Sequence, residues 1–394
     1  MARTVHSTQV AIIGAGPAGL LLSQLLSRGG IDSVVLESQS RDHVEARLRA
    51  GLLEWTTVEL LEEAGVGARL LREGLVHDGF DIAFANGRHR IDLKGLTGRS
   101  MLVYGQNEVQ RDLADARAAE PGAVLWEVRE VAVHDFDTQA PRVTYLHDAL
   151  SHELRCDFIA GCDGFHGVCR ASVAPDRRSQ YERVFPFAWL GLLADVPPLH
   201  EELVYVNHES GFALCSMRSR SRSRYYVQCA LEDRVEAWPD SRFWDELRAR
   251  LPEAYRARLT TGASLEKSIV PLRSCVTEPM RFGQLFLAGD AAHIVPPTGA
   301  KGLNLAAADV RLLSRGLIEF YRTHSATLLD EYSARALSRV WKATRFSWWF
   351  TRLLHRFSAD PFERRLRSAE LEYLARSAAA SRSLAENYVG LDFD

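Results

Sequence analysis

The chain has 394 residues, of which 46% are hydrophobic and 25% are charged. This is the composition of a globular protein large enough for two or three domains. A formal net charge of -3 excludes bulk affinity for nucleic acid, which requires a basic surface.

The amino-terminal sequence QVAIIGAGPAG predicts a strand over 9–13 that runs directly into a glycine-rich turn. A helix follows, and SVVLE then predicts a second strand ending at Glu37. In such a βαβ unit, Gly14 makes the tight turn, Gly16 lets the backbone approach a pyrophosphate, and Gly19 allows close packing on the strand. Glu37 is placed to accept hydrogen bonds from ribose hydroxyls. We therefore expect an ADP-containing cofactor, against the alternative of a glycine turn without a ligand.

The apolar run over 10–26 is interrupted by glycines and proline, and no basic segment with a cleavage site frames it. We expect neither a targeting segment nor a membrane span. The six cysteines form no CxxC pair, which indicates reduced thiols in a cytoplasmic protein.

Three polar residues follow the βαβ unit. Arg47 and Arg49 belong to a helix where they either meet cofactor phosphate or form a solvated basic turn. Gln106 precedes a helix over 108–119, where its amide either contacts the cofactor or caps the helix. The segment over 51–68 has a helical pattern, and 80–93 alternates like paired strands.

Two buried strands end in an acid next to a glycine. A strand over 156–160 leads to Asp163, and QLFLA leads to Asp290, so both carboxylates are expected at the edge of the sheet where α/β proteins bind ligands. His166 either faces a second, transient nucleotide or is a loop histidine. After Asp290, a loop containing Gly299 and Gly302 feeds a helix, which predicts an anion or carbonyl receptor rather than an ordinary connection.

The composition over 185–230 favours strands and predicts an inserted antiparallel sheet. Alternation places Ser216 and Arg218 on one face, and Arg224 and Tyr226 on one face after the turn. A hydroxyl, a guanidinium and a phenol on neighbouring strands form a carboxylate receptor. The rival interpretation is a solvated basic hairpin over 218–224.

Helices are predicted over 303–321, 327–355 and 362–380, after which Tyr388 alone would be interpreted as a surface anchor. The expected fold is therefore mixed α/β. A Rossmann-like domain occupies 1–180 and 275–320, an antiparallel-sheet substrate domain occupies 181–274, and a helical region occupies 321–394.

These segments, together with ERVFPFAWLGLLAD, GFALCS, SRYYVQ, SLEKSI and AENYVGL, resemble the FAD-dependent aromatic hydroxylases, the group A flavoprotein monooxygenases. The resemblance extends over nearly the whole chain. It implies hydroxylation of 4-hydroxybenzoate to 3,4-dihydroxybenzoate with FAD, O2 and NADPH or NADH, in a homodimer joined by its carboxyl-terminal helices. Neither a metal nor a membrane is implied.

The resemblance also assigns roles to individual residues. The carboxylate of the substrate would bind Ser216, Arg218 and Tyr226. Its phenol would meet Tyr205, which hydrogen-bonds Tyr388. His77 would pass the proton outward, the Pro297 carbonyl would face the phenol, and Arg224 would steer the flavin. FAD itself would be held by Gly14, Gly16, Gly19, Glu37, Arg47, Arg49, Gln106, Asp163, Asp290, Gly299, Gly302, Leu303 and Asn304.

The sequence departs from the family pattern beside Glu37. Members that prefer NADPH carry an arginine and a tyrosine where this chain has Ser38 and His43, so NADH becomes a plausible coenzyme. Leu52 and Trp55 are bulkier than usual beside the flavin. Residues expected to meet the nicotinamide coenzyme are Ser38, Arg41, His43, Arg49, His166 and Arg273. Alternatives are the same chemistry on a related hydroxy- or aminobenzoate, and a non-catalytic protein with the same fold.

Overall fold

The computed structural model describes residues 4–46, 51–85, 87–120 and 123–391, and it confirms the mixed α/β class. The strands are β1 (Thr4–Ser7), β2 (Val10–Ile13), β3 (Ser33–Leu36), β4 (Leu52–Leu53), β5 (Leu75–His77), β6 (Gly79–Phe84), β7 (Gly87–Asp92), β8 (Met101–Val103), β9 (Val124–Leu125), β10 (Arg129–His134), β11 (Arg142–His147), β12 (Leu150–Arg155), β13 (Phe158–Gly161), β14 (Ser179–Ala194), β15 (Leu203–Val206), β16 (Ala213–Met217), β17 (Ser223–Cys229), β18 (Ser264–Glu278), β19 (Arg281–Phe282), β20 (Leu285–Leu287) and β21 (His293–Ile294). The helices are α1 (Pro17–Arg28), α2 (Arg41–Ala46), α3 (Trp55–Glu63), α4 (Gly67–Glu73), α5 (Leu93–Thr97), α6 (Gln106–Ala118), α7 (Val168–Ala171), α8 (Asp240–Arg250), α9 (Glu253–Arg256), α10 (Gly302–Thr323), α11 (Thr327–Leu354), α12 (Pro361–Arg376) and α13 (Ala378–Val389). Within the described ranges, no helix has both the length and the apolar character that crossing a membrane requires.

A largely parallel sheet in the order β19-β20-β13-β2-β3-β9 forms the first layer. Its central strands β2 and β13 are fully buried and pair in parallel. Because parallel strands end at one edge, the turn after β2 and the acids after β13 and β20 meet there. The turn itself requires glycine. Gly14 has φ +101°, and a Cβ on Gly19 would lie 1.9 Å from the Gly14 carbonyl oxygen.

An eight-stranded sheet in the order β21-β18-β14-β17-β16-β15-β6-β7 forms the second layer. The expectation of a wholly antiparallel sheet was wrong at one pair, since β6 joins β15 in parallel. This pair forms because residues 79–92, which the sequence placed in the first domain, hydrogen-bond into this sheet. Two smaller sheets have the strand orders β1-β12-β11-β10 and β4-β8-β5.

The helical predictions were wrong in two places. The segment predicted as one helix over 51–68 divides into β4, α3 and α4, with Gly65 at φ +79° between the helices. The helix predicted over 362–380 breaks at Ser377, whose hydroxyl accepts a hydrogen bond from the Ala380 amide and so caps α13. The break lets α13 carry Tyr388 into the core, where it is 1% exposed.

Candidate active site

The glycine turn after β2 is tied to the end of β3. The Ala15 amide donates to Glu37 Oε2 at 2.7 Å, while Glu37 Oε1 accepts from the Ser38 hydroxyl at 3.2 Å and the Gln39 amide at 2.9 Å. Glu37 therefore holds the turn in place. It also lies at the end of β3, where the sequence predicted an acceptor for ribose hydroxyls. A Cβ on Gly16 would meet no heavy atom within 4 Å, so the turn borders open space.

The two acid-and-glycine turns lie where the sequence predicted, after β13 and β20. Asp163 Oδ2 accepts from the Cys169 amide at 2.8 Å, whereas its buried Oδ1 has no hydrogen-bond partner among the described residues. Burial raises the pKa of Asp163. An unpartnered buried oxygen beside a glycine turn favours a hydroxyl-bearing ligand.

The turn at Asp290 rests on a buried pair that the sequence reasoning missed. Asp309 Oδ2, on α10, accepts from the Gly289 amide at 2.9 Å and lies 2.6 Å from His293 Nε2. Burial lowers the pKa of His293, but the Asp309 carboxylate raises it, and the net direction is upward. Asp309 thus holds Gly289, whose φ of +62° suits glycine, in the turn that presents Asp290.

The start of α10 borders open space at Gly302, where a Cβ would meet nothing within 4 Å. Backbone amides at this helix start are free to receive a polar ring edge. The Asn304 side chain does not point outward, because its amide nitrogen donates to the Leu52 and Ala300 carbonyls at 3.0 and 2.8 Å. Its oxygen accepts from the Glu54 amide at 2.9 Å. Any cofactor contact by Asn304 is therefore a backbone contact.

The predicted carboxylate receptor assembles on one face of the eight-stranded sheet. Ser216 lies opposite Arg224 in the β16–β17 pairing. The Arg218 guanidinium donates to the Ser216 hydroxyl at 3.3 Å and to the Tyr226 hydroxyl at 3.5 Å. Arg218 forms no ion pair with any described residue, and burial lowers its pKa. A half-buried guanidinium without a counterion favours an anionic ligand.

Arg224 is 5% exposed, and its side-chain hydrogen bonds are to residues outside the receptor. It donates to Glu266 Oε1 at 3.0 Å and to the Ser268 hydroxyl at 2.9 Å, and its guanidinium lies 5.4 Å from the centre of the Tyr226 ring. The rival interpretation of a fully solvated hairpin is therefore wrong for Arg218 and Arg224, although Ser219 to Arg222 between them are exposed.

Tyr205 and Tyr388 form a hydrogen-bonded pair with 2.7 Å between their hydroxyl oxygens, and both are buried. Tyr205 donates to the Thr298 carbonyl at 3.2 Å. Pro297 is exposed, and its carbonyl accepts from the Ala300 amide at 3.0 Å, which leaves it a second lone pair. Burial raises the pKa of both tyrosines, so both hydroxyls stay protonated at neutral pH.

His77 is 1% exposed, and neither ring nitrogen has a hydrogen-bond partner among the residues described. Burial lowers the pKa of His77 to about 4, so the ring is neutral at pH 7. A neutral imidazole with both nitrogens unbonded can accept one proton and release another. The structure thus places His77 in the interior rather than at the surface.

A cleft of about 680 Å³ lies beside the end of β3. Its lining includes Ser38 and His43, the charged residues Glu127, Arg129 and Glu130, and Val168, two residues after His166. Arg41 is tied to Glu45 at 2.6 Å and to Asp115. It therefore does not supply the cleft with an uncommitted charge.

His166 and Arg273 both contact the ring of Phe165. The His166 ring lies 5.0 Å from the Phe165 ring, and the Arg273 guanidinium lies 4.9 Å from its centre. Arg47 and Arg49 lie outside the described residues. Leu52 is buried on β4, whereas Trp55, at the start of α3, is 38% exposed.

Comparison with known proteins identifies the family. The model of the FAD-binding domain family matches residues 7–347. The p-hydroxybenzoate hydroxylase of Acinetobacter baylyi is 56% identical over 98% of this chain and 96% of its own length. This chain belongs to the FAD-dependent aromatic hydroxylases. As a member of this family it is a flavin-dependent monooxygenase that uses FAD and NAD(P)H.

Other aromatic hydroxylases are more distant. The para-nitrophenol 4-monooxygenase of Pseudomonas sp. strain WBC-3 is 27% identical over 82% of this chain and 81% of its own length. The crystal structure of p-nitrophenol 4-monooxygenase from Pseudomonas putida DLL-E4 has a TM-score of 0.84, with 20% identity over 99% of this chain and 100% of that one. The latter likeness shows the shared fold.

The residues of this hydroxylase fit FAD. The open space at Gly16 suits a pyrophosphate, the unpartnered Asp163 oxygen suits a hydroxyl, and the space at Gly302 suits the edge of the flavin ring. Sequence reasoning missed Gln110, whose side-chain amide donates to the Ala15 carbonyl and holds the glycine turn from α6. Its position four residues after Gln106, one helical turn along, was the available signal.

Proposed function

We propose that the protein hydroxylates 4-hydroxybenzoate to 3,4-dihydroxybenzoate. The observation that carries the proposal is the uncompensated Arg218 guanidinium, because a buried cation with hydroxyl neighbours selects a carboxylate. The 56% identity to the p-hydroxybenzoate hydroxylase of A. baylyi supports the same substrate.

The strand register supports a substrate with its two polar groups at opposite ends. Tyr205 lies opposite Leu214, and Leu214 lies opposite Tyr226, so Tyr205 and Tyr226 point to one face from strands two positions apart. Two strand spacings are about 10 Å. A benzoate bound to Tyr226 through its carboxylate therefore reaches Tyr205 with a hydroxyl in the para position and not with one in the ortho position.

Each group then has a chemical task. Bound FAD supplies the reducing equivalents taken from the coenzyme and activates O2 for transfer of one oxygen atom. The phenol of the substrate has an unperturbed pKa near 10, and its ring becomes electron-rich at the ortho carbon when the proton leaves. Tyr205 accepts that proton as it passes its own to Tyr388, Tyr388 releases its own proton in turn, and His77 carries a proton towards solvent. The aromatic walls around the pair, Phe80 and Phe350, exclude water from this path.

The test is coenzyme oxidation in air by the purified, FAD-loaded protein, with and without 4-hydroxybenzoate, followed by chromatography for 3,4-dihydroxybenzoate. We expect strong stimulation and one catechol formed for each coenzyme oxidised. Fast oxidation that yields only hydrogen peroxide would make 4-hydroxybenzoate an effector, and a related hydroxy- or aminobenzoate would then be the substrate. A purified protein that does not bind FAD would contradict the enzymatic proposal altogether.

We propose that NADH is the preferred coenzyme. Ser38 and His43 offer no fixed cation for a 2'-phosphate, and among the other charged residues that line the cleft the Glu127 and Glu130 carboxylates outnumber the single cation, Arg129. A ribose diol, in contrast, can donate hydrogen bonds to carboxylates.

Replacing Ser38 with arginine is expected to raise kcat/KM for NADPH about tenfold, because a charge-assisted hydrogen bond contributes about 1.5–3 kcal/mol. Steady-state kinetics with both coenzymes measure this. The exposed Ser210→Arg variant, which adds the same charge elsewhere, should leave the NADPH to NADH ratio unchanged. An equal change in the NADPH to NADH ratio in both variants would show that the coenzyme does not bind beside Ser38.

We also propose a cytoplasmic homodimer. The six cysteines are buried and unbridged, as expected in a reducing compartment. On α12, Phe362, Leu366 and Tyr373 are 68%, 56% and 56% exposed, and their spacing of four and seven residues puts them on one helix face. An exposed apolar stripe of this kind favours contact with a second copy.

The Leu366→Glu variant is expected to weaken the dimer about 30-fold, since a charge placed in an apolar contact costs about 2 kcal/mol. Light scattering after size-exclusion chromatography over a concentration series would show the shift to monomer. Leu150→Glu changes an equally exposed leucine on β12 and should have no effect. Unchanged mass in both variants would remove α12 from the interface.

A further inference from the structure

A second cavity, of about 290 Å³, lies between α10, α11 and the end of α13. None of its lining residues belongs to the carboxylate receptor or to the cleft beside β3. Its volume is at the lower end of the range for small-molecule sites, so it suits a ligand of a single ring.

The charge of this cavity is positive although the chain is acidic overall. Four of its lining residues are cations and one, Glu54, is an acid. Three of the cations, Arg335, Arg339 and Lys342, recur on α11 at spacings of four and three residues and therefore share one helix face. Lys342 is exposed and forms no ion pair with a described residue.

The deeper wall is apolar. Phe346 continues the same face of α11, one turn after Lys342, and is 2% exposed, as is Leu305 on α10. Cations at the rim with an aromatic ring and aliphatic side chains below them are complementary to an amphipathic anion. A ring carrying one carboxylate satisfies both parts.

From these observations we propose that the cavity binds a small aromatic monocarboxylate as an effector. The site is separate from the proposed substrate receptor, and the effector acts on turnover. Charge complementarity and the aromatic floor select this class over phosphates, which would leave the apolar wall uncovered, and over neutral rings, which would make no charge-assisted hydrogen bond with the cations at the rim.

The cavity is connected to the tyrosine pair by direct contacts. Arg339 donates to Glu54 Oε2 at 2.8 Å, and Lys301 donates to Glu54 Oε1 at 2.6 Å. Lys301 also donates to the Tyr388 carbonyl at 2.8 Å. An anion that draws Arg339 away from Glu54 thus disturbs the support of Tyr388. The effector should lower kcat and leave KM for the substrate unchanged.

Titration of the FAD-loaded protein with 4-fluorobenzoate, followed by ¹⁹F NMR, tests the proposal. We expect two bound resonances. Arg218→Ala should remove one, which reports on the substrate receptor and so on the proposed function. Lys342→Glu should remove the other, with binding weakened about tenfold or more by like-charge repulsion. Arg258→Glu, a charge reversal at an exposed position outside the cavity, should keep both.

The proposal is overturned if Lys342→Glu removes no resonance that the unaltered protein shows. If the unaltered protein shows the Lys342-dependent resonance but none that depends on Arg218, the proposed substrate is contradicted and the effector site is supported.

Discussion

Replacing Tyr205 with phenylalanine is expected to reduce the formation of 3,4-dihydroxybenzoate at pH 7 by roughly 100-fold or more, because general acid–base transfer by a positioned group contributes about 10²–10⁴-fold. The hydroxyl of Tyr205 has two contacts, to Tyr388 at 2.7 Å and to the Thr298 carbonyl at 3.2 Å. Without it the phenol of a bound substrate has no acceptor for its proton. Coenzyme oxidation should continue, so the ratio of product to coenzyme oxidised is the quantity to measure.

The variant should also have an altered pH profile. In the unaltered protein the proton leaves through the pair, so the rate needs little help from bulk hydroxide. In Tyr205→Phe the phenol, with an unperturbed pKa near 10, ionises only as the pH rises. Product formation by the variant should therefore recover steadily from pH 7 to pH 9. A flat profile would contradict the role of the pair in removing the proton.

A matched control is available in the core. Tyr332 is buried, 1% exposed, and its hydroxyl donates to the Leu287 carbonyl at 2.8 Å. Tyr332→Phe loses one buried hydrogen bond of the same kind, at a cost of about 1 kcal/mol. It should lower the free energy of unfolding without changing the ratio of product formed to coenzyme oxidised. If both variants uncouple the reaction, packing rather than proton transfer explains the effect at Tyr205.

The features that the sequence predicted depend on neighbours in the chain. The glycine turn at Gly14 and the acids Asp163 and Asp290 each follow a buried strand directly, so their place at the edge of the sheet follows from local order and the parallel pairing. The receptor face followed from strand alternation over Ser216 to Tyr226. Local sequence patterns of this kind predict the structure correctly because the elements that carry them are short and buried.

The features that residue patterns alone did not predict join distant parts of the chain. Lys301 and Glu54 are 247 residues apart, and Tyr205 and Tyr388 are 183 apart. No periodicity links such residues, and the tyrosine pair was expected from family resemblance alone. Arg41 is a further example, since its pairing with Asp115 depends on how α6 packs against α2. Sequence patterns indicate which residues face the core but do not indicate which residue they meet there.

Replacing Arg218 with alanine is expected to raise KM for 4-hydroxybenzoate about 100-fold, because two hydrogen bonds from a charged group are worth about 3 kcal/mol together. Lysine keeps the charge but not the two parallel donors, so Arg218→Lys should fall between alanine and the unaltered protein. Steady-state kinetics and substrate titration measure both. Arg222→Ala is the control, since that arginine is exposed and paired with Asp195 at 2.6 Å.

Stability provides the decisive second measurement at this position. Arg218 has no ion pair among the described residues, and burial lowers its pKa, so in the free protein its charge is destabilising. Arg218→Ala should therefore unfold at the same temperature as the unaltered protein, or at a higher one, while binding substrate poorly. A large fall in the unfolding temperature would show instead that Arg218 supports the fold. Added 4-hydroxybenzoate should stabilise the unaltered protein and not the variant, because only a site with the guanidinium supplies the counterion that the carboxylate needs.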